Sequence, residues 1–389
     1  MRCAVVLIPV IACGAPTPSD DDVPAPDATV VDPDPPKPAP AALEVQALGV
    51  QGFAMRYGND IVLSAPLFTR QSMFEVALAT PLPANHQAID DGLAGIALDQ
   101  IRAVVSGHAH YDHFMDVPRI LERAPGAVAL TNLSGRNMLA ALAPDRPAGC
   151  TNTPATPLSR ARVVALDDEL ASKVDYTNCL GKKPANAPVE GSWVKVPGSN
   201  VRVMALCSMH PDQIGPFHFG EGSVDTEQCE LPAAASGWLE GLTLAFLIDF
   251  LDADGKPVHR VFYQDAPTDA PIGQVPASIL AERTVDLALL CVGSNDAVAN
   301  QPTAIIENIQ PRFVLSGHWE DFFADTSPGD APPPIPFLDL DTYIMRAEAA
   351  VPGAPDAELR IDGVPSASRH VLAMPGMRAT VPPRPSSDP

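Results

Sequence analysis

The body of the chain consists of short apolar runs, several alternating with period two, separated by turn residues and by stretches of helical spacing. Residues 43–57, the turn Gly58-Asn59-Asp60 and residues 61–63 read as a hairpin. Residues 101–106 and 127–131 read as buried strands, while 115–124 and 135–142 carry helical spacing, with Pro118 tolerated in a first turn. Further strands are expected at 201–206, 285–292 and 312–316, with a helix over 302–309. A second hairpin joins 241–250 to 258–263 through Asp252-Ala253-Asp254-Gly255, a turn that lacks the remaining ligand spacing of a calcium loop. Residues 143–188 are polar and irregular, as an insertion would be. Strands alternate with helices in both halves, so the expected class is layered α/β. Two strands end alike, Val104-Val105-Ser106-Gly107-His108 and Val314-Leu315-Ser316-Gly317-His318, as in a fold whose two halves each present a histidine at a strand's end.

Composition narrows the partners. The 389 residues are 46% hydrophobic, enough for a substantial core. No apolar run reaches the ~20 residues of a membrane-spanning helix. Lys and Arg number 25 against 47 acids, a net charge of −22, which disfavours a nucleic-acid partner whose phosphates need basic side chains. The acidic stretch 20–37 holds six Asp and one Lys, so the body is acidic as well. Met1-Arg2, the apolar run 3–11 and Ala12-Cys13-Gly14 read as an export signal over 1–13. Val10-Ile11-Ala12-Cys13 resembles a bacterial lipobox, which implies lipidation of Cys13, export and membrane anchoring on the periplasmic or cell-surface side. An ordinary cleaved signal and a buried strand are the alternatives. Residues 14–42, with Pro33, Pro35, Pro36, Pro38 and Pro40, read as an extended linker, and 382–389 as a disordered tail. No obligate protein partner is evident. Of the remaining cysteines none forms a C-x-x-C pair. In an exported protein a Cys150–Cys179 disulfide is expected, with Cys207 and Cys291 free and buried in strands.

The chemistry concentrates in His108-Ala109-His110-Tyr111-Asp112-His113. In extended chain, side chains at i and i+2 share a face, so His108 and His110 can grip one ion. Asp112 has the same parity, and a turn into helix brings His113 beside it. Four ligand-type side chains after an apolar strand are costly to bury unless a cation neutralises them. His86, His259 and His370 lie in surface-like contexts.

This H-x-H-x-D-H string resembles the signature of the metallo-β-lactamase superfamily, and the resemblance covers roughly 43–381 as one catalytic domain. It implies a four-layer αβ/βα sandwich and further ligands in order: His210 after one strand, Asp265 at the end of a hairpin strand, and His318 after another. By that resemblance His108, His110 and His210 hold a first divalent metal ion, Asp112, His113 and His318 a second, and Asp265 bridges them. His218 is the rival to His210 and otherwise a substrate contact, as are Tyr111 and Trp319; Asp269 is a weaker rival to Asp265. Zinc suits these ligands first, with manganese or iron as alternatives. The implied activity is hydrolysis of a phosphodiester, lactone or other ester by a bridging hydroxide, with Asp112 and Asp265 as catalytic carboxylates. The loop 211–237 is a candidate substrate wall. His-Ala-His-Tyr-Asp-His together with His318-Trp319-Glu320 is similar to the branch holding N-acylphosphatidylethanolamine phospholipase D and ascorbate-6-phosphate lactonase. Where relatives carry an Asp that orients a ligand histidine, this chain reads Leu63-Ser64-Ala65-Pro66. A binding module without turnover and a di-iron oxidoreductase are the competing readings.

Overall fold

A computed structural model describes residues 40–384, apart from 79, 148, 172–186, 214–217, 325–330 and 354–357. The expected export signal with Cys13, nearly all of the linker, Cys179, and most of the tail lie outside the described residues. Among the described residues no helix is long and apolar enough to cross a membrane.

The strands are β1 (Leu43–Gly49), β2 (Gly52–Tyr57), β3 (Asp60–Ser64), β4 (Ile101–Val105), β5 (Val128–Thr131), β6 (Val163–Ala165), β7 (Glu190–Lys195) and β8 (Val201–Cys207). They continue with β9 (Leu244–Leu251), β10 (Pro257–Gln264), β11 (Leu287–Cys291), β12 (Phe313–Gly317), β13 (Arg360–Ile361), β14 (Val364–Pro365), β15 (His370–Leu372) and β16 (Arg378–Val381). One sheet runs β14-β13-β16-β1-β2-β3-β4-β5-β6 and the other β15-β12-β11-β10-β9-β8-β7. Each is mixed. The pairs β3-β4, β4-β5 and β5-β6 are parallel in the first sheet, as are β10-β11, β11-β12 and β12-β15 in the second.

Alternation along the strands builds the layers. Ala103 and Val105 of β4, with Leu287 and Leu289 of β11 and Phe313 and Leu315 of β12, enter one core between the sheets. The intervening Val104 packs outward with Val117, Ile120 and Leu121 of the helix Val117–Arg123. On the other side Ala288, Leu290 and Val314 pack outward with Ile305, Ile306 and Ile309 of the helix Thr303–Ile309. Strands buried on both faces read as continuous apolar runs, which is why β11 is apolar throughout. The result is a four-layer αβ/βα sandwich.

Several expectations need correction. The run 43–57 is two strands, not one, because Gly49 at φ 102° and Val50 at φ 52° turn the chain between them. The segment 143–188 is not wholly irregular: β6 extends the first sheet, and the helix Asp167–Ala171 follows it. Cys150 bonds Cys229 rather than Cys179, and Cys207 is disulfide-bonded rather than free. Only Cys291 of the expected pair is free and buried. His259 and His370 are buried, not superficial: His259 Nε2 lies 2.8 Å from the Ala41 carbonyl, and His370 Nε2 lies 3.1 Å from Ser316 Oγ.

Candidate metal centre

Four strand ends deliver the side chains to one point between the sheets. After β4 the chain leaves the sheet through Ser106 and Gly107, and Ser106 Oγ donates to the His108 carbonyl (2.7 Å), holding the loop. His110 begins the short helix Tyr111–Phe114, whose first turn carries Asp112 and His113. From the second sheet come His210 beyond β8, Asp265 immediately after β10 and His318 immediately after β12. The matching strand ends seen in the sequence thus face each other across the interface of the two sheets.

The structure brings all seven expected residues together. Ring centroids of His108 lie 4.6 Å from His110, 4.3 Å from His113 and 4.8 Å from His210. His110 and His210 are 4.9 Å apart, and His113 and His318 5.1 Å. Asp112 Oδ2 lies 3.4 Å from His113 Nε2 and 3.3 Å from His318 Nε2. Asp265 Oδ1 lies 3.2 Å from His108 Nδ1, while its Oδ2 accepts from the Gly107 N–H at 2.6 Å. Two triads of ligand atoms result, His108/His110/His210 and Asp112/His113/His318, with Asp265 grouped with His108 from one and His113 from the other.

Glycines make the room. A Cβ on Gly107 would stand 2.2 Å from Asp265 Oδ1, and one on Gly293 would stand 2.9 Å from His318 Nδ1. His318 itself adopts the left-handed region at φ 56°, held there by its N–H donating to the Val50 carbonyl at 2.7 Å. A non-glycine residue in that region costs energy and persists only where its surroundings enforce it, as at ligand sites.

The donor atoms fit divalent cations. His108 leaves both ring nitrogens buried without a hydrogen bond, and so do His113 Nδ1, His318 Nδ1 and Asp265 Oδ1. Orphaned polar atoms packed this closely are expensive unless a ligand satisfies them. Burial, and then neighbouring imidazoles, push the His108 and His110 rings well below the usual histidine range. Burial takes His113 to about 3 and His210 to about 4. Neutral imidazoles keep the lone pair that a metal requires. Burial alone would raise Asp112, but His113 and His318 outweigh it and hold the carboxylate ionised. Burial pushes the Asp265 carboxyl up, a cost that a cation beside it would remove.

The surrounding residues take distinct roles. Trp319 is a packing residue: its ring lies in the outer core of the second sheet, and Nε1 donates to the Ala373 carbonyl at 2.9 Å. Tyr111 packs partly buried against the first sheet's outer core. His218 lies beside the centre, its ring 5.4 Å from His210 and its Nε2 2.7 Å from Glu240 Oε2. Ser64, in the stretch that lacks an acid, serves the backbone, accepting from the Phe53 N–H and donating to the Gln51 carbonyl. Asp269 accepts from the Ala299 N–H at 2.9 Å, a structural role. Glu240 was not foreseen. It stands alone in Leu239-Glu240-Gly241 with no ligand-like spacing around it, and only the folded loop brings it to the histidines.

No protein-family model and no curated protein matches the sequence. Among solved structures, the chain is similar to Igni18, a novel metallo hydrolase of the hyperthermophilic archaeon Ignicoccus hospitalis, with 14% identity, 88% of this chain and 99% of that one covered, and a TM-score of 0.46. It is similar to the metallo-β-lactamase fold protein YhfI of Bacillus subtilis, with 11% identity, coverage of 86% and 98%, and a TM-score of 0.43. It is also similar to CmlA, a diiron β-hydroxylase of Streptomyces venezuelae, with 14% identity, coverage of 73% and 46%, and a TM-score of 0.35.

Proposed function

We propose that the protein is a dinuclear metal-dependent hydrolase acting on an ester bond, whether phosphodiester, lactone or acyl ester. One observation carries the reading: seven scattered side chains converge into two triads joined by a buried carboxylate, with buried atoms on His108, His113, His318 and Asp265 that find no hydrogen bond among the described residues. His108, His110 and His210 would hold one ion, Asp112, His113 and His318 the other, and Asp265 both. Two divalent ions held there would supply a bound water with its pKa lowered from 15.7 toward ~7, and a positive charge to polarise the bond under attack. The protein's own contribution is placement. The Gly107 N–H and the Val50 carbonyl, both carried by the first sheet, fix Asp265 and His318 of the second. Asp112, the more exposed of the two carboxylates, would take the proton given up by the attacking water and relay it to the leaving oxygen.

His218 at the rim supports a role in touching substrate. Zinc is the first expectation from the imidazole and carboxylate ligands, with manganese or iron next. The resemblance to the phospholipase D and lactonase branch rests on the His-Ala-His-Tyr-Asp-His string and makes phosphodiesters and lactones the first substrates to try. Export with a lipid anchor at Cys13 remains our proposal for location, and the Cys150–Cys229 disulfide supports an oxidising compartment.

The test combines metal analysis of the purified protein with a screen of phosphodiester, lactone and acyl ester substrates. Two ions per chain with turnover of one class is expected. Two ions with no turnover of any class would favour the binding module. Iron together with oxygen consumption would favour the oxidoreductase. Absence of bound metal after zinc reconstitution would overturn the proposal.

A further inference from the structure

Glu240 lies in the loop before β9 and makes no part of the seven-residue set, yet its main chain is bolted to the motif. Its carbonyl accepts from the Ala109 N–H (3.0 Å), between the first two histidines, and from Asn132 Nδ2 (2.6 Å). Its N–H donates to the Gly220 carbonyl at 3.0 Å. That same carbonyl lies 3.3 Å from His110 Nε2. The Glu240 side chain, 14% exposed, points to the same place: Oε2 is 3.8 Å from His110 Nε2 and 2.7 Å from His218 Nε2.

The Gly220 carbonyl is within hydrogen-bond distance of one edge of the His110 ring, and the Glu240 carboxylate, at 3.8 Å, places its charge at the same edge. A carbonyl and a carboxylate both favour a proton on Nε2, which leaves Nδ1 as the nitrogen with a lone pair for the centre. Gly220 keeps the clamp tight. It sits at φ 70°, and a Cβ there would come within 2.8 Å of His110 Nε2. Main-chain bonds at its N–H and carbonyl fix the backbone that carries the carboxylate, and the contact with His218 locates its far end. His210 is oriented separately, its Nδ1 lying 2.7 Å from the Pro211 carbonyl, which leaves Nε2 for the centre. The grouping of His210, His218 and Glu240 is therefore no independent cation site, since the nitrogen of His210 that remains serves the first triad.

We propose that Glu240 is a positioning residue that sets two imidazoles at once. It holds His110 in the tautomer that turns Nδ1 inward, and it holds His218 beside the centre by its Nε2, while Asp212 Oδ1 stands 3.5 Å from the other ring nitrogen of His218. The inference rests on the metal-centre reading above, but its first readout does not need metal.

Nitrogen-15 ring correlations on the metal-free full-length protein read the His110 tautomer directly. The wild type is expected to show a single Nε2–H form, Glu240→Ala a mixture, and Glu240→Gln a largely restored Nε2–H form, because the amide oxygen still accepts. Zinc competition against a chromophoric chelator is then expected to show 10–100-fold weaker binding in Glu240→Ala, a smaller loss in Glu240→Gln, and near wild-type affinity in His218→Ala. An unchanged tautomer together with unchanged zinc affinity in Glu240→Ala would overturn the proposal. So would a loss in His218→Ala as large as that in Glu240→Ala, since Glu240 would then act only through His218. If Glu240→Ala fails to fold, the Glu240→Gln spectrum decides: a His110 ring mainly in the Nδ1–H form overturns the inference. A wild type that binds no zinc refutes the metal reading, while the tautomer result still judges Glu240.

Discussion

Replacing Asp265 by Ala should separate the cost of building the centre from the gain of filling it. The side chain is fully buried, its Oδ2 bonded to the Gly107 N–H at 2.6 Å and its Oδ1 3.2 Å from His108 Nδ1 without a hydrogen bond. Without metal, truncation strands the Gly107 N–H, a loss of about 1–3 kcal/mol. It also removes a carboxyl that burial disfavours in its charged form, which offsets part of that loss. The metal-free variant should therefore melt within a few degrees of the wild type. With zinc at a hundred times the dissociation constant, each ion stabilises by about 2.7 kcal/mol, or ~5 kcal/mol for two. At roughly 2 °C per kcal/mol for a large domain, wild-type Tm should rise by about 10 °C. Asp265 is the carboxylate shared between the triads, so the variant should retain at most one ion and less than half of that rise. Turnover should be abolished. Calorimetry with and without zinc, together with metal counts after dialysis, reads each quantity. Two ions per chain with the full rise in Asp265→Ala would refute the bridging role.

Other consequences are independent of the metal. His370 is buried against Ser316, and burial takes its pKa to about 4 from an ordinary 6.5. The unfolded chain therefore binds the extra proton between those values, so stability is complete above pH 6.5 and falls by about 3 kcal/mol as pH drops toward 4; urea melts of metal-free His370→Gln should show a shallower acid decline. Arg260 is buried, paired in two bonds with Asp249, and near the Trp193 ring. Arg260→Met should cost about 3–5 kcal/mol in the same melts, because Asp249 keeps only Arg202. The Cys150–Cys229 disulfide closes a loop with a sequence separation of 79. The double alanine variant should lose about 2–5 kcal/mol, and limited proteolysis should then cut first between 211 and 237.

The fold was legible where chemistry is local. Apolar runs such as 287–292 announced strands buried on both faces, and His108 to His113 announced ligands because one strand end and one helical turn are enough to cluster them. Asp265 and His318 needed the family resemblance, since nothing in either segment alone says that the second sheet delivers it to the same point. What stayed hidden depends on pairing between distant segments. The β16-β1 pairing joins residues more than 300 positions apart, Leu43 opposite Val381. Cys150 and Cys179 look equivalent by context, and only the approach of the 211–237 loop to the 143–188 segment selects Cys229. Arg160–Glu227 and the Arg146 contact to the Cys229 carbonyl draw those segments together. His259 and His370 looked superficial because polar neighbours in sequence conceal what the other sheet places over them.

The origin of the ligands has a mechanical corollary. Four come from the segment after β4 in one sheet and three from strand ends of the other, so an ion gripped by His108, His110 and His210 is held by both sheets. Such an ion acts as a rivet through a seam that otherwise relies on apolar contact. Sliding one sheet over the other would then tear the ligand shell before it disrupted either sheet.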